Sequence, residues 1–363
     1  MITLRVIIVL FSAAIMFCGC CSNTFYAVSS SAKNAGGIYQ FAADGTVENF
    51  LSLPTAGYIC RDAAGKYFYV SVNSTSGKKN SPGGAAVLKK DDSKRLVLLQ
   101  IAPAAIKTPC HLTLSPDGKF LYTANYSSGD IAEFALEDHL LTTPPRIIPH
   151  YGKSVHRRQK SPHPHFVSFD PAGKQLFVCD LGTDRILIYN YVPGKGLQLP
   201  AAEEYILPPG SGPRHLCFAP DGKSFYTANE LNSTVSVFLR TNDNKWQLYQ
   251  TLSTLPPGKA AVKNYPGAIK ISSCGKFLFV TNRGDNSIAV FTVQADGRCR
   301  LNCAADSSGT YPSDIILLDN DQTLLVINLK SSNITVFDFN KKNAALQKSE
   351  KTFAVPQGIA LQL

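Results

Sequence analysis

Four polar residues with side chains suited to acid–base chemistry stand at matching places in a repeated sequence pattern. His165 and Arg214 each lie eight residues before the turn glycine of one repeat, and Glu230 and Arg283 each lie eight residues after one. A carboxylate, an imidazole and two guanidiniums around one cavity can transfer protons on an anionic carbonyl compound and stabilise its oxyanion. We therefore predict that these four residues are catalytic.

The other repeats carry different residue types at the same two places. Cys110 and Gly267 occupy the earlier place, and Tyr126 and Leu181 occupy the later one. A position that only builds the fold should look alike in every repeat, so variation at these two places indicates function.

Four further residues are predicted to bind the substrate at the same end of the repeats. Asp180 replaces the Asn that ends the second strand of other repeats, as at Asn125, where that Asn is expected to satisfy backbone groups in a turn. Arg158 and His163 belong to the basic segment 150–165, which predicts a cavity mouth that attracts anions. The predicted substrate-binding set is Asp180, Arg158, His163 and Asn125.

Each catalytic candidate also has a purely structural interpretation. Arg214 and Glu230 can form a salt bridge that ties two strands of one repeat together. His165 can be a hydrogen-bonded structural histidine, and Arg283 can be a solvated charge. These alternatives stay open from the sequence alone.

The remaining histidines favour neither catalysis nor metal binding. Packing is the favoured interpretation for His111 and His215, which lie one residue further along their strands. A metal site is disfavoured because His163 and His165 flank a proline in an extended segment, and no carboxylate is nearby in sequence. No metal and no cofactor are predicted.

The elements that must position these residues are predicted to be β-strands. Of the 363 residues, 44% are apolar and only 17% are charged, and the chain contains 26 Gly and 22 Pro. This composition is typical of a turn-rich β protein and disfavours helix bundles and coiled coils. The net charge of +10 indicates an anionic partner, and the absence of a recognised motif argues against nucleic acid.

The strands are predicted to recur in units of about fifty residues. Each unit has an apolar run, a tight turn, an aromatic-rich alternating run, then a third strand and a less regular fourth. Four antiparallel strands per unit describe a blade of a β-propeller. The six units contain the segments Cys60–Asn73, Cys110–Tyr126, His165–Leu181, Arg214–Glu230, Gly267–Arg283 and Ser313–Leu329.

A seventh blade is predicted from the two ends of the chain. Segment 356–363 resembles a first strand with nothing after it, whereas Thr24–Ser29 and Gly37–Phe41 resemble second and third strands without a first. Joining them closes the ring and removes exposed sheet edges. The predicted fold class is therefore all-β, with one seven-bladed propeller domain over residues 22–363.

Residues 1–21 are predicted to be an export signal. One charge, Arg5, precedes an apolar run over 6–17 that is too short for a permanent membrane span. The sequence CGCC at 18–21 resembles a lipoprotein signal in which Cys20 is lipidated, and plain cleavage is the competing interpretation. The expected location is periplasmic, with membrane attachment only through a lipid on Cys20.

Seven cysteines follow this segment and contain no CxxC pair, which argues against zinc and against a full disulfide framework. Most lie in strand-like runs, where a free Cys acts as a small hydrophobe. Cys299 and Cys303 are candidates for a local disulfide in an exported protein.

At these motifs the sequence resembles the propeller-type lactonase family, which includes 6-phosphogluconolactonases and 3-carboxymuconate-cyclase-like proteins. The resemblance covers essentially the whole chain after the signal, and the family's active-site His, Arg, Glu and second Arg fall on the four predicted catalytic residues. It is carried by HLTLSPDGKFLYTAN at 111–125, HPHFVSFDPAGKQLFVCD at 163–180 and PRHLCFAPDGKSFYTANE at 213–230.

The resemblance implies metal-free hydrolysis of a small anionic sugar lactone, similar to 6-phosphogluconolactone. Glu230 or His165 would activate water, while Arg214 and Arg283 would hold the phosphate or carboxylate and the oxyanion. Glu230→Gln and His165→Ala are expected to fold and to lose activity. Two alternatives stay open: a binding or interaction propeller without catalysis, and a carboxymuconate-type cycloisomerase.

Overall fold

The computed structural model describes residues 24–32, 35–73, 82–105, 107–259, 263–318 and 320–363. Within these ranges all regular elements are β-strands, which form seven antiparallel sheets arranged as blades. The predicted all-β, seven-bladed propeller is confirmed. No helix among the described residues is long and apolar enough to cross a membrane. The predicted export signal and Cys20 lie outside the described residues.

The strands are numbered in chain order. The blade that joins the termini contains β1 Phe25–Ser29, β2 Gly37–Phe41, β3 Val47–Ser52 and β30 Gly358–Gln362. The second blade contains β4 Ile59–Arg61, β5 Tyr67–Asn73, β6 Gly83–Lys90 and β7 Leu96–Ala105. The third contains β8 His111–Leu114, β9 Phe120–Asn125, β10 Asp130–Glu137, β11 Leu140–Leu141 and β12 Arg146–Pro149. The fourth contains β13 Pro164–Phe169, β14 Gln175–Asp180, β15 Arg185–Val192, β16 Gly196–Leu197 and β17 Glu203–Ile206. The fifth blade contains β18 Pro213–Phe218, β19 Ser224–Asn229, β20 Thr234–Arg240 and β21 Trp246–Ser253. The sixth contains β22 Pro266–Ile271, β23 Phe277–Asn282, β24 Ser287–Val293 and β25 Cys299–Asp306. The seventh contains β26 Pro312–Leu318, β27 Thr323–Asn328, β28 Asn333–Asn340 and β29 Ala345–Ala354.

The closing blade has the strand order β3-β2-β1-β30, so the last strand of the chain is the innermost strand of the blade that begins it. Its register pairs Tyr26 with Gln362 and Val28 with Ala360. The predicted closure by both chain ends is confirmed. This pairing covers the inner edge of β1, which would otherwise be open.

The core consists of seven apolar clusters, one between each pair of neighbouring blades. Alternating strand residues supply both faces of each blade, because successive side chains point to opposite sides of a sheet. Between the β13 and β18 blades, Phe225 stacks on Phe238 at a centroid distance of 4.4 Å, and Trp246 meets Phe225 edge-on at 4.9 Å. Each such fully buried aromatic side chain contributes roughly 1.5–3 kcal/mol of transfer free energy.

A β-bulge at the start of the innermost strand shapes the channel in several blades. In β13, Pro164 pairs with Asp180 and Phe166 with Cys179, so His165 is the extra, unpaired residue. The same irregularity makes Arg214 the extra residue in β18. In a regular strand, successive side chains point to opposite faces. The bulge changes this alternation, so Arg214 and His215 both line one cavity.

The structure does not form the candidate Cys299–Cys303 disulfide. Both cysteines are free and lie along the same strand, β25, four residues apart. At a rise of about 3.3 Å per residue their Cα atoms are separated by about 13 Å, far beyond the reach of a disulfide.

Candidate active site

A cavity of about 420 Å³ opens in the channel at the end where the innermost strands begin. His165 and Arg214 are on its wall, and Glu230 and Arg283 lie beside them. The structure thus brings the four predicted catalytic residues together. The wall consists of Ser30, Thr55, Ala56, Gly57, Tyr58, Asn73, Thr108, Pro109, Cys110, His165, Arg214, His215, Ser313, Asp314 and Ile359.

Glu230 is the centre of an ion cluster beside this cavity. Its Oε1 accepts a hydrogen bond from Nη1 of Arg158 at 2.5 Å, and its Oε2 accepts one from Nη2 of Arg283 at 2.5 Å. Nε of Arg214 lies 3.1 Å from Oε2, within ion-pair range but without the alignment of a hydrogen bond. One carboxylate therefore meets three guanidiniums, and the cluster carries a net positive charge.

These charges keep Glu230 ionised. Burial alone would raise the pKa of its carboxyl group, but the charges of Arg283 and Arg214 lower that pKa far below its ordinary value. Both carboxylate oxygens are engaged by arginines, so Glu230 is a weak base. The salt-bridge interpretation of Arg214 and Glu230 therefore holds for this pair, within a larger cluster.

The guanidinium of Arg283 is committed to the protein. Its Nε donates to the carbonyl of Tyr265 at 3.0 Å, and its Nη2 donates to the carbonyl of Pro266 at 3.2 Å as well as to Glu230. Its guanidinium also lies 5.4 Å from the ring centre of Tyr311. Arg283 therefore holds Glu230 in place.

Arg214 has the opposite character. Its Nε and Nη1 are buried and have no hydrogen-bond partner among the described residues, and its side chain lines the cavity. Burial lowers the pKa of Arg214 to about 10, with a further contribution from the charge of Arg283, so the guanidinium remains charged at neutral pH. Unpartnered guanidinium N–H groups in a buried site are well suited to bind an oxyanion.

His165 lines the same cavity as a neutral imidazole. Burial lowers its pKa well below 6.5, and the charge of Arg214 adds to this effect. Its Nδ1 has no hydrogen-bond partner within the described part of the chain. Its ring lies edge-on to Tyr126 at 5.9 Å and to His215 at 5.4 Å. A neutral imidazole with a free nitrogen can accept a proton from water.

Arg158 reaches Glu230 from the segment between β12 and β13. Gln159, which is fully buried, anchors this segment by donating to the carbonyl of Leu181 at 2.8 Å and to Oδ1 of Asp184 at 2.7 Å. Asp184 also accepts from the hydroxyl of Ser154 at 2.5 Å. The loop is therefore held at both sides of Arg158, whose side chain remains 35% exposed.

Asp180 serves this same segment and does not line the cavity. Its Oδ2 lies 2.8 Å from Nδ1 of His150, and its Oδ1 accepts from the backbone N–H of His163 at 2.8 Å and of Gly182 at 3.0 Å. The structure therefore places Asp180 as a loop anchor. Sequence comparison of the repeats identified it as unusual, and its buried partners explain why it differs.

His163 and Asn125 also make local contacts outside the cavity wall. The ring of His163 stacks on Tyr126 at 4.2 Å, and its Nδ1 lies 2.7 Å from the Tyr126 carbonyl. Nδ2 of Asn125 donates to Oδ1 of Asp130 at 2.6 Å across the β9–β10 turn. Of the four residues predicted to bind substrate, only Arg158 belongs to the ion cluster.

His111 and His215 pack as expected but also face the channel. The ring of His111 lies 4.0 Å from those of both Tyr58 and Phe166. His215 lies 4.7 Å from Phe166 and lines the cavity with its Nε2 unpartnered among the described residues. Burial lowers the pKa of both imidazoles well below 6.5.

Three channel residues escaped the sequence-based prediction: Tyr58, Lys270 and Asp314. Tyr58 and Asp314 line the cavity and stand seven residues before the turn position of their repeats, as do His111 and His215. Lys270 lies two residues further into its strand, on the same side. A lysine inside the apolar strand GAIKI was the signal that could have found this group.

The described residues contain no group of three or more His, Cys, Asp or Glu side chains placed to hold a metal ion. The four histidines of segment 150–165 do not converge, because His150 turns to Asp180 and His163 turns to Tyr126. The arrangement that does converge is one neutral imidazole and one free guanidinium on a common cavity wall.

Comparisons with known proteins agree with this fold. The chain matches the family model described as lactonase, 7-bladed β-propeller, over residues 24–363. It is 30% identical over 337 residues to 6-phosphogluconolactonase of Bacillus subtilis, covering 90% of this chain and 94% of that protein. A periplasmic gluconolactonase structure from Pseudomonas aeruginosa has a TM-score of 0.86 at 29% identity, covering 93% of this chain and 98% of that one. A structure from Lactobacillus plantarum has a TM-score of 0.86 at 26% identity, covering 94% and 99%.

Proposed function

Since the chain belongs to the lactonase family of seven-bladed β-propellers, we propose that its channel site hydrolyses an anionic sugar lactone, similar to 6-phosphogluconolactone, to the open hydroxy acid. The observation that carries this proposal is the pair formed by His165 and Arg214. His165 supplies a neutral base with an unpartnered nitrogen, and Arg214 supplies unpartnered N–H donors. Both residues line one cavity.

In the proposed reaction His165 takes a proton from water, and the resulting hydroxide attacks the lactone carbonyl. Arg214 stabilises the oxyanion of the tetrahedral intermediate. Glu230 acts as a positioning residue, because its carboxylate fixes three guanidiniums and both of its oxygens are taken by these contacts. We therefore propose His165, rather than Glu230, as the base.

The anionic group of the substrate is proposed to sit at the mouth, against Arg158. Arg158 is part of the ion cluster, and its side chain is 35% exposed. Lys153, Arg157 and Lys160 of the same segment are exposed and add positive charge around it. Such a rim raises the local concentration of a phosphorylated or carboxylated lactone.

We also propose that the protein is exported, with a lipid on Cys20 as its only membrane attachment. The apolar N-terminal segment supports export, and a relative of similar structure from Pseudomonas aeruginosa is described as periplasmic. The substrate would then be a lactone present outside the cytoplasm.

The direct test follows lactone opening by the purified protein in a pH-stat, against the spontaneous rate. The panel contains 6-phosphogluconolactone, gluconolactone and an uncharged γ-lactone, each with and without a chelator. We expect acceleration that the chelator does not change, and the largest kcat/KM for the phosphorylated compound. Saturable binding without acceleration would instead identify a ligand-binding propeller, and net lactone formation from a muconate would identify a cycloisomerase.

A further inference from the structure

Lactone opening requires a second proton transfer that His165 and Arg214 do not provide. When the tetrahedral intermediate collapses, the ring oxygen leaves as an alkoxide, which is strongly basic and needs a proton. A guanidinium can stabilise the carbonyl oxyanion, but it remains protonated and is a poor acid. A general acid on another part of the cavity wall would complete the reaction.

Tyr58 lines the same cavity as His165. Its ring packs against the ring of His111 at a centroid distance of 4.0 Å and a tilt of 46°, and its backbone N–H donates to the hydroxyl of Ser71 at 2.7 Å. The ring of His215 lies 6.4 Å from that of Tyr58 and 5.4 Å from that of His165. Tyr58 and His165 line one cavity of about 420 Å³, which a small lactone can occupy.

Lys270 approaches Tyr58 from the opposite side of the ring of blades. Its ammonium group interacts with the Tyr58 hydroxyl through a hydrogen bond and with the charge of Asp314. The interaction with Tyr58 raises the pKa of Lys270 above its ordinary value against the opposing effect of burial. An ammonium that donates to the phenol oxygen leaves the phenol proton free to point into the cavity.

Asp314, His215 and the serine and threonine hydroxyls of the wall are less suited to donate this proton. Asp314 is occupied by the backbone N–H groups of Ile315 at 2.9 Å and Leu361 at 3.0 Å. The imidazole of His215 is neutral, since burial lowers its pKa well below 6.5. The hydroxyls of the wall's serines and threonines are alcohols, whereas burial raises the pKa of Tyr58 to about 12, which still leaves it more acidic than an alcohol.

We propose that Tyr58 is the general acid that protonates the leaving ring oxygen, and that Lys270 is the positioning residue that orients its hydroxyl. The inference rests on the proposed lactonase function. His165 removes one proton from water, the hydroxide adds to the carbonyl carbon, and the ring C–O bond breaks. Tyr58 gives its proton to the departing oxygen, which becomes the product hydroxyl. The His165 proton returns to the Tyr58 phenolate through water, and the new carboxylic acid releases its proton to solvent.

The experiment compares Tyr58→Phe with the wild type on lactones of graded leaving-group basicity, from gluconolactone to the aryl lactone dihydrocoumarin. A phenol leaving group needs no acid, so we expect kcat to fall roughly a hundredfold for gluconolactone and less than about threefold for the aryl lactone. Lys270→Met is expected to show the same dependence with a smaller amplitude. Tyr39→Phe, which removes a hydroxyl that donates to the carbonyl of Ala35, is the matched control and should show no change.

Equal losses on every lactone in Tyr58→Phe would assign Tyr58 to binding or packing and overturn the inference. No loss on gluconolactone would overturn it as well. If Tyr58→Phe fails to fold, Lys270→Met decides by the same leaving-group dependence. These outcomes differ from failure of the proposed function, in which the wild type itself opens no lactone faster than the spontaneous rate.

Discussion

The ion cluster around Glu230 and the channel wall around Tyr58 are both largely buried and polar, but they differ in how many of their side chains are charged. The ion cluster consists of Arg158, Arg214, Glu230 and Arg283, all of which are ionised. The channel layer around Tyr58 contains imidazoles and a phenol that burial keeps neutral, together with Lys270 and Asp314.

This difference follows from the side chains themselves. A guanidinium does not deprotonate in a protein, so burying it requires a carboxylate partner, and Glu230 is shared among three. An imidazole or a phenol can become or stay neutral when buried, and so needs no counter-ion. Proton transfer is therefore assigned to the neutral groups, and stabilisation of negative charge to the arginines.

Removal of the shared carboxylate should have the largest effect on stability. Glu230→Gln leaves Arg214 and Arg283 buried without a counter-ion, so we expect a loss of roughly 3–5 kcal/mol in the free energy of unfolding. This differs from the expectation based on sequence, in which the variant folds normally. Denaturant titration measures the loss, with the exposed Glu137→Gln as control. A stable Glu230→Gln would show that the arginines do not depend on it.

Asp314 should have the next largest effect, because it links the β26 blade to the blade that joins the chain termini. Asp314→Ala removes the acceptor for the N–H groups of Ile315 and Leu361, and the latter belongs to the closing strand β30. We expect a loss of roughly 1–3 kcal/mol, measured by the same titration. The exposed Asp92→Ala is the control. An unchanged midpoint would mean that closure does not use this contact.

The neutral histidines should make stability depend on pH. The pKa of His215 is lowered in the folded protein, so below its ordinary value of 6.5 the unfolded chain binds the proton first. Its contribution is therefore complete above pH 6.5 and is lost as the pH falls. His215→Asn changes the free energy of unfolding, and this change should be more favourable by roughly 1.4 kcal/mol at pH 5.5 than at pH 8. Parallel pH profiles for variant and wild type would show that His215 is charged in the folded state.

Arg158 should have the smallest effect on stability. It is 35% exposed, so Arg158→Gln should cost less than about 1 kcal/mol. The KM for a phosphorylated lactone should rise about tenfold, the equivalent of one charge-assisted hydrogen bond, while the KM for gluconolactone stays unchanged. The exposed Arg300→Gln, in β25, is the matched control. Equal KM changes for both lactones would remove Arg158 from anion recognition.

The sequence predicts the architecture because each blade repeats the same physical pattern. Turn glycines, alternating apolar residues and the incomplete ends predict seven blades and their closure. The comparison of repeats also leads to the ion cluster, since Glu230 and Arg283 replace residues of other types at one place.

The sequence did not predict the difference between the arginines or the role of the channel layer. Arg283 donates to the carbonyls of Tyr265 and Pro266, whereas Nε and Nη1 of Arg214 make no hydrogen bond within the described residues. This difference depends on side-chain geometry across blades. Tyr58 and Lys270 lie far apart in sequence and meet only across the closed ring. Asp180, in contrast, stands out in the comparison of the repeats but does not line the cavity, because its carboxylate anchors a loop.

The most direct test of the central claim is the pH dependence of lactone opening by the wild type and by His165→Gln. If a neutral His165 is the base, kcat/KM for 6-phosphogluconolactone should be flat from pH 6 to 8, with its acidic limb well below 6.5. His165→Gln should lower kcat roughly 10²–10⁴-fold without loss of fold. A His165→Gln variant that opens the lactone at the wild-type rate would contradict the account.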